Sequence, residues 1–361
     1  MKKVFMVLIC CLVIGLFVLY FAVSPRETDS EAAASGGAAS AAPSETVSST
    51  SDDTEPPVIT LAGDAILTLT AGDTYTEPGY TCRDSLDGDL TASVTVTGQV
   101  DTSAAGKYEL TYRVTDAAGN TAEAVRTVKV KNPEGTPVDR TVRGLPILMY
   151  HFFYDTAAGE TGRDGNWMEI SDFEAQMAYL AENDYYFPTW DEVADFVDGV
   201  ITLPEKSVVV TSDDGNESFF RLAIPVLEKY DILATSFIVG CEVETATVKA
   251  VTATNIQFRS HTYDMHRAGS DGNGRFLTVS YEEAVADFEA GDEALAGIRQ
   301  VFCYPYGHYN DFTKQVLTDM GFDLAVTIVY DRVYPNMEKL ELPRIRMSAD
   351  TSLASFISSV S

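Results

Sequence analysis

The chain has 361 residues, too many for one ordinary domain, and its 45% hydrophobic content is enough to bury a core. Its formal net charge of −29 makes binding to nucleic acid or to an anionic membrane surface unfavourable, because phosphate groups would be repelled. We therefore expect no nucleic-acid partner.

The chain begins with an apolar segment. Residues 4–23 carry no charge over 20 positions, and as a helix they would span ~30 Å, the thickness of a bilayer core. Lys2 and Lys3 precede this segment, so the positive-inside rule predicts a cytoplasmic N-terminus and export of the rest. We expect residues 1–23 to be a membrane anchor that holds the protein on the extracellular face of the cell membrane. The alternative is a signal peptide cleaved near Ala22-Val23-Ser24, which would release a secreted protein.

Residues 24–56 are rich in Ser, Ala and Gly and contain almost no large apolar side chains. Such a segment cannot bury enough surface to offset its chain entropy, so it is predicted to be a disordered stalk.

Residues 57–132 contain short runs that alternate apolar with polar positions, separated by turn sequences such as AGD, DGD and AAGN. Several short strands in ~75 residues predict an all-β sandwich. The stretches EPGYTCRDSLDGDLT and GKYELTYRVTDAAGNTA resemble the bacterial immunoglobulin-like repeats of surface proteins. Asp84, Asp87 and Asp89 either approach one calcium ion or form a solvated turn.

The third segment, residues 143–361, alternates strand-like runs with helices. Three S/T-x-x-E sequences, which begin at Ser171, Thr189 and Ser280, predict capping boxes at helix N-termini. Strands are predicted at 146–150, 207–211, 235–239, 255–259, 300–303, 323–328 and 341–347. This alternation predicts a parallel sheet, as a barrel or a doubly wound sheet, with the site at the carboxyl ends of the strands.

Histidines and a pair of aspartates follow these predicted strands. The four histidines of the chain come on or after apolar runs, at His151, His261, His266 and His308, and the run SVVVTSDDG ends in Asp213 and Asp214. Two imidazoles and one carboxylate, with positions left for water, form a catalytic metal site that suits either hydrolytic zinc or non-haem iron. Successive side chains at a strand end point to opposite sides, so one carboxylate can bind the metal while its neighbour acts as a base.

Four short motifs resemble those of one enzyme family. Thr211–Gly215 (TSDDG) is similar to the T-F-D-D-G motif of the polysaccharide deacetylases, the NodB-homology or carbohydrate esterase family 4 group. Ser260–Thr262 is similar to the S-H-T motif of that family, Tyr304–Gly307 to its P-Y-G segment, and Leu145–His151 to the opening of its exported members. The resemblance implies a distorted (β/α) barrel and metal-dependent removal of acetyl groups from a sugar polymer.

The resemblance also implies roles for individual residues. It makes Asp213 the general base, and Asp214, His261 and His266 the ligands of a divalent metal. We expect Zn²⁺, with Co²⁺ or Ni²⁺ as alternatives. The backbone N–H of Tyr306 is expected to stabilise the oxyanion.

Three features depart from the usual family pattern. The late L-x-H motif that supplies the acid has no histidine at 342–347, Cys303 stands where an arginine is usual, and four residues rather than three separate the histidine pair. The branch that acts on poly-N-acetylglucosamine is similar in these features and uses an early histidine as acid. The resemblance therefore implies that His151 is the acid, the alternative being a buried structural histidine. Arg344 could orient Asp213 in place of the missing arginine.

Other residues near the motifs carry weaker signals. Ser212 replaces the usual Phe of the family, which is expected to loosen packing behind the carboxylates. Cys241 and Cys303 are expected to be buried free thiols, with a disulfide between them as the alternative. His308 lines the groove or lies on the surface.

Together these features predict a membrane-tethered surface enzyme. It would hydrolyse acetyl groups of an N-acetylglucosamine-containing polysaccharide, either peptidoglycan or an exopolysaccharide. One alternative is a catalytically impaired carbohydrate-binding or adhesion protein, suggested by the departures at 212, 303 and 342–347. Another is an O-acetyl esterase acting on xylan-like polymers, which would use the same residues. An iron oxygenase with the same ligands is remote, since nothing in the sequence indicates a 2-oxoacid site.

Overall fold

The computed structural model describes residues 53–361, and the predicted anchor and most of the predicted stalk lie outside this range. Within the described range, no helix is both long and apolar enough to cross a membrane.

Residues 58–131 form seven strands in two sheets. The strands β1–β7 are Val58–Leu61, Ile66–Thr70, Tyr80–Asp84, Gly88–Asp89, Thr95–Thr97, Gly106–Thr115 and Thr121–Lys131. One sheet has the order β1-β3-β4, and the other has the order β2-β7-β6-β5, in which only β2 and β7 are parallel. Alternate side chains of β6 and β7 enter the core between the sheets, among them Tyr112, Val114, Val128 and Val130.

Residues 143–361, the C-terminal domain, are built on a seven-stranded parallel sheet. Its strands are β8 (Ile147–Tyr150), β11 (Val209–Ser212), β12 (Ala234–Ile238), β13 (Ile256–Ser260), β14 (Val301–Cys303), β15 (Leu324–Val326) and β16 (Ile345–Arg346). Two further strands, β9 (Phe152–Tyr154) and β10 (Trp167–Glu169), form a separate parallel pair. Each of the seven strands predicted from the sequence has a counterpart in the sheet.

The sheet has the order β15-β14-β13-β12-β11-β8-β16 and curls without closing by regular strand pairing. One isolated bridge, between Val326 and Leu342, connects β15 to the segment that leads into β16. Strand β16 itself pairs with β8. The predicted distorted barrel is therefore an open half-barrel whose two edges are linked by a single short segment.

Helices cover the sheet. They are α1 (Ile170–Glu182), α2 (Trp190–Val197), α3 (Ile224–Lys229), α4 (Thr245–Ala250), α5 (Tyr281–Leu295), α6 (Asp311–Asp319) and α7 (Leu353–Val360), and a π-helical turn at Phe219–Ala223 leads into α3. Strands β8, β11 and β12 are buried at every position, as parallel strands with both faces covered must be. Trp190, at the start of α2, lies in this core and donates from Nε1 to Oγ1 of Thr235 at 2.9 Å.

Two of the three predicted capping boxes are present. At the start of α2, the Thr189 side chain accepts the N–H of Glu192, and the Glu192 carboxylate accepts the N–H of Thr189. At the start of α5, Ser280 and Glu283 make the same pair of contacts. Each box satisfies two backbone groups that the first turn of a helix leaves without partners.

The capping box predicted at Ser171 was wrong. Helix α1 begins at Ile170, and the carboxylate of Glu169 accepts the N–H of Ser171. Strand β10 ends at Glu169 and the chain enters the helix directly, so Ser171 lies inside the first turn rather than before it.

The β-sandwich and the C-terminal domain are joined by polar contacts at the end of β7. Nζ of Lys129 lies 2.8 Å from Oδ1 of Asp195 on α2. The backbone N–H of Asn132 donates to the carbonyl of Asp198 at 2.9 Å, and Nδ2 of Asn132 donates to Oδ1 of Asn336 at 2.9 Å. The linker after β7 is thus bonded to the domain that it precedes.

Replacing Thr189 by Ala removes the hydroxyl that caps α2, so the free energy of unfolding of the C-terminal domain should fall by about 1 kcal/mol. Both tryptophans, Trp167 and Trp190, lie in this domain, so urea unfolding followed by tryptophan fluorescence reports on it alone. The matched control is Ser171→Ala, which should cost less than about 0.5 kcal/mol because Ser171 is not the N-cap of α1. Equal losses in the two variants would contradict this cap assignment.

Candidate active site

The carboxyl ends of the parallel strands bring distant residues to one edge of the sheet. His151 follows β8, Asp213 and Asp214 follow β11, and His261 follows β13. Because these strands run in the same direction, the polar groups that end them meet at one mouth.

A buried ion pair joins Asp213 to Arg344. Nη1 and Nη2 of Arg344 donate to Oδ1 and Oδ2 of Asp213, each at 2.7 Å, and neither side chain is more than 3% exposed. The guanidinium also donates from Nε to the carbonyl of Thr327 at 2.8 Å and from Nη1 to Oγ1 of Thr211 at 3.1 Å. Buried charges are tolerated when they are paired and hydrogen-bonded, and these contacts meet that requirement.

The ion pair sets the charge of Asp213. Burial by itself favours the neutral acid, but the attraction and hydrogen bonds of Arg344 outweigh it and hold the pKa of Asp213 well below its ordinary value. Asp213 is therefore a carboxylate throughout the neutral pH range.

Asp214 faces two imidazoles on the opposite side of the chain. Its Oδ1 lies 3.5 Å from Nε2 of His261 and 3.5 Å from Nε2 of His266. Both distances are long for hydrogen bonds, and Oδ1 is buried without a hydrogen-bond partner. These three side chains thus form one group of possible metal ligands, with their donor atoms within 4.8 Å of one another.

A backbone carbonyl fixes the orientation of the His261 ring. Its Nδ1 lies 2.7 Å from the carbonyl oxygen of Cys303, which can only accept, so Nδ1 donates and Nε2 faces Asp214. Burial opposes a charge on this ring, but Cys303 and Asp214 outweigh burial and raise the pKa of His261. The site therefore favours positive charge in front of Asp214.

The loop that carries His266 is held by a residue that the sequence did not indicate. Asp287 on α5 accepts the backbone N–H groups of Tyr263 and Asp264, at 2.7 and 2.8 Å. These bonds fix the segment between the two histidines, whose ring centroids are 4.6 Å apart. An acidic residue in the middle of a helix carries no local signal of this role, because the contact spans 23 residues of sequence.

His151 lies beside Asp213. Its Nε2 is 3.9 Å from Oδ2 of Asp213, and its side chain is 17% exposed. Burial lowers the pKa of His151, and its Nδ1 has no hydrogen-bond partner. A neutral imidazole therefore stands beside the buried carboxylate with one edge open to the mouth of the site.

Tyr306 and His308 lie beside the histidine pair. The rings of Tyr306 and His266 have centroids 4.5 Å apart, and Tyr306 is held at a φ of 58°, a left-handed conformation unusual for a residue with a side chain. His308 accepts the backbone N–H of Gly274 at its Nδ1, at 3.1 Å, so it anchors a neighbouring loop.

Ser212 and the cysteines differ from expectation. Ser212 is buried, and its hydroxyl donates to the carbonyl of His151 at 3.0 Å, so it connects the two strand ends rather than loosening the packing there. Cys241 and Cys303 are both free, but Cys241 is exposed, so the prediction of two buried thiols was wrong for it. The buried thiol of Cys303 lies 3.3 Å from Nη2 of Arg344 and 3.5 Å from Oδ2 of Asp213.

Two protein families match separate parts of the chain. Residues 59–130 match the bacterial surface protein Ig-like domain, and residues 201–325 match polysaccharide deacetylase.

Individual relatives and solved structures match between half and two thirds of the chain. The chain is similar to poly-beta-1,6-N-acetyl-D-glucosamine N-deacetylase from Staphylococcus aureus, with 28% identity over 196 residues, 50% of this chain and 67% of that protein. It is similar in fold to the Streptococcus pyogenes deacetylase PplD in complex with acetate, with 23% identity and a TM-score of 0.53 over 61% of this chain and 99% of that one. For IcaB from Ammonifex degensii, the identity is 26% and the TM-score 0.52, over 60% of this chain and 97% of that one.

These matches and the position of the four motifs at one edge of the sheet support the same conclusion. The C-terminal domain contains the polysaccharide deacetylase domain of an enzyme, matched at residues 201–325, and a bacterial surface immunoglobulin-like domain precedes it.

Proposed function

We propose that this chain is a metal-dependent N-deacetylase of an exported N-acetylglucosamine polymer. The observation that carries the proposal is Oδ1 of Asp214, which is buried without a hydrogen-bond partner and 3.5 Å from two imidazole nitrogens. Tetrahedral bonds of about 2.1 Å place two donor atoms about 3.4 Å apart, so this spacing suits a divalent cation. One carboxylate and two imidazoles are donors typical of catalytic Zn²⁺, and Co²⁺ or Ni²⁺ accept the same set.

Asp214, His261 and His266 would hold the metal, and Asp213 would act beside it. A divalent cation held there would supply a Lewis acid that polarises the acetyl carbonyl and lowers the pKa of a water to about 7. Asp213 is already ionised, so its Oδ2 accepts the proton of the attacking water. Water adds to the carbonyl carbon of the acetyl group, and the backbone N–H of Tyr306 would donate to the oxyanion that forms on the carbonyl oxygen.

His151 would move the same proton to the leaving group. Asp213 is a weak base because Arg344 holds its pKa low, so it retains a proton only briefly. Nε2 of His151, 3.9 Å away, can take that proton over after a small approach. The imidazolium then donates it to the sugar nitrogen as the C–N bond breaks, which yields acetate and a free amine. Arg344 positions Asp213 throughout.

The substrate part of the proposal rests on the relatives. The S. aureus relative is named for poly-β-1,6-N-acetyl-D-glucosamine, and the first residues of this chain have the pattern of an exported protein. We therefore favour a secreted poly-N-acetylglucosamine over peptidoglycan.

The alternative of an impaired carbohydrate-binding protein is weakened by what replaces the missing motif residues. Cys303 lacks the positive charge of the arginine that is usual at its position, and Arg344 supplies that charge instead by pairing with Asp213. Ser212, which replaces the usual Phe, makes a buried hydrogen bond. An O-acetyl esterase would need the same side chains, so only the product separates it from an N-deacetylase.

Acetate and free-amine release from different polymers tests the function directly. With Zn²⁺, Co²⁺ or Ni²⁺, the purified protein should release equal amounts of acetate and free amine from poly-β-1,6-N-acetylglucosamine, and less from peptidoglycan. The rate should fall by about 10²–10⁴-fold in Asp213→Asn, because the general base is lost while the metal ligands remain.

Asp264→Asn is the matched control, since Asp264 pairs with Arg267 and lies outside the proposed machinery, and its rate should stay within about twofold of wild type. Acetate release without amine from acetylated xylan would identify an O-acetyl esterase. Stoichiometric metal with no acetate release from any polymer would contradict an enzymatic role.

A series of histidine variants separates the proposed roles. His266→Ala should lose bound metal, as measured by metal analysis of the purified protein, because one of three protein ligands is gone. His151→Ala should keep its metal but lose about 10²-fold or more in kcat, because the proton donor is gone. His308→Ala is the control and should keep both. Unchanged turnover in His151→Ala would rule out its role as acid.

We also infer that the catalytic domain acts outside the cell, at the membrane surface. The uncharged run at 4–23 after two lysines, and the match of 59–130 to a surface-protein domain, support this location. Protease added to intact cells should therefore digest residues 57–361, while a cytoplasmic marker stays whole. Recovery of the protein in the medium instead of the membrane fraction would favour a cleaved signal peptide, and full protection from protease would contradict export.

A further inference from the structure

We propose that the immunoglobulin-like domain binds one calcium ion through Asp53, Asp84 and Asp116. Asp53 precedes β1, Asp84 ends β3 and Asp116 follows β6, so the three residues come from segments far apart in the sequence. Their carboxylate oxygens nevertheless lie within 4.8 Å of one another. The sequence had grouped Asp84 with Asp87 and Asp89 instead, because it shows only neighbours along the chain.

The carboxylate of Asp84 points to a ligand. The residue is 8% exposed, and its Oδ1 accepts the N–H groups of Leu86 and Asp87, both at 2.8 Å. Its Oδ2 is buried and has no hydrogen-bond partner. A buried carboxylate oxygen without a donor is unfavourable, and it is more so beside two other carboxylates. A cation at this point would remove both penalties.

In the described part of the chain, the three carboxylates form no ion pair with a basic side chain, and a backbone carbonyl lies beside them. Within residues 53–361, no ion pair joins Asp53, Asp84 or Asp116 to a lysine or arginine. Asn120 holds the cluster together, because its Nδ2 donates to Oδ2 of Asp116 at 2.8 Å and to the carbonyl of Asp53 at 3.1 Å. No ion pair in the described residues therefore neutralises the three carboxylates, and Asn120 holds Asp53 and Asp116 in place.

Calcium fits this donor set better than the proposed catalytic metals. The set contains only oxygen ligands, which hard cations prefer, and no imidazole or thiolate. Ca²⁺ binds oxygen at about 2.3–2.6 Å, so opposite ligands lie up to about 5 Å apart, and it tolerates irregular geometry and added waters. Mg²⁺ requires a nearly ideal octahedron, which three carboxylates from separate segments do not supply. The ion would tie the residues before β1 to the ends of β3 and β6.

Calcium titration of the full chain, purified in detergent and stripped of metal, tests the site. Isothermal titration should show one saturable site with Kd of about 0.1–1 mM, the range of extracellular modules. Asp214→Asn serves as the background variant, because it disables the proposed catalytic metal site and should leave calcium binding unchanged. In that background, Asp84→Asn should weaken binding at least tenfold.

The matched control is Asp64→Asn, which removes the same charge from an exposed turn at the other end of β1 and should change Kd by less than twofold. No saturable binding up to about 10 mM, equal binding in Asp84→Asn, or loss of binding in Asp214→Asn would overturn the proposal. So would Mg²⁺ that binds as tightly as Ca²⁺.

Wild-type hydrogen exchange covers the case in which Asp84→Asn does not fold. The amides of residues 53–58 and 84–89 should exchange more slowly in calcium than in chelator, because the ion ties these segments together. Amides of the C-terminal helices serve as the internal reference. Exchange at 53–58 and 84–89 that is the same with and without calcium would overturn the proposal.

Discussion

The ion pair between Arg344 and Asp213 brings opposite charges together below the surface, from positions 131 residues apart. Two opposite charges in a low-dielectric site are stable only together, since removal of either leaves the other buried and unpaired. The pair keeps Asp213 ionised and fixes the orientation of its carboxylate. It also links the segment before β16 to the end of β11. The edge of the half-barrel and the charge of its site therefore depend on the same contact.

Adjacent aspartates acquire different environments because of how the chain leaves β11. Asp213 turns towards Arg344, and Asp214, held at a φ of 71°, turns towards the two histidines. Thr262 and Tyr306 also have positive φ values, 73° and 58°. Such conformations are uncommon for residues with side chains and persist where surrounding contacts hold them. In this site those contacts include the carboxylate of Asp287, which holds the loop that follows Thr262.

Several parts of the fold were predictable because their signals are local. Buried parallel strands appear in sequence as short apolar runs, and the seven predicted runs correspond to the seven strands of the sheet. The capping boxes at Thr189 and Ser280 were visible because both partners lie within four residues. The error at Ser171 came from a strand that continues directly into α1, which no pattern within the helix records.

Residue types and motif spacing alone predicted the histidines and aspartates that meet in the candidate site, and the motifs indicated the family, because both signals are local in sequence. The tertiary structure decided which of these groups meet. It pairs Arg344 with Asp213, places the carbonyl of Cys303 behind His261, and gathers Asp53 with Asp84 and Asp116. Each of these contacts joins segments that are distant in sequence, and their distances depend on how the sheets curl and close. Periodicity along the chain carries no information about that closure.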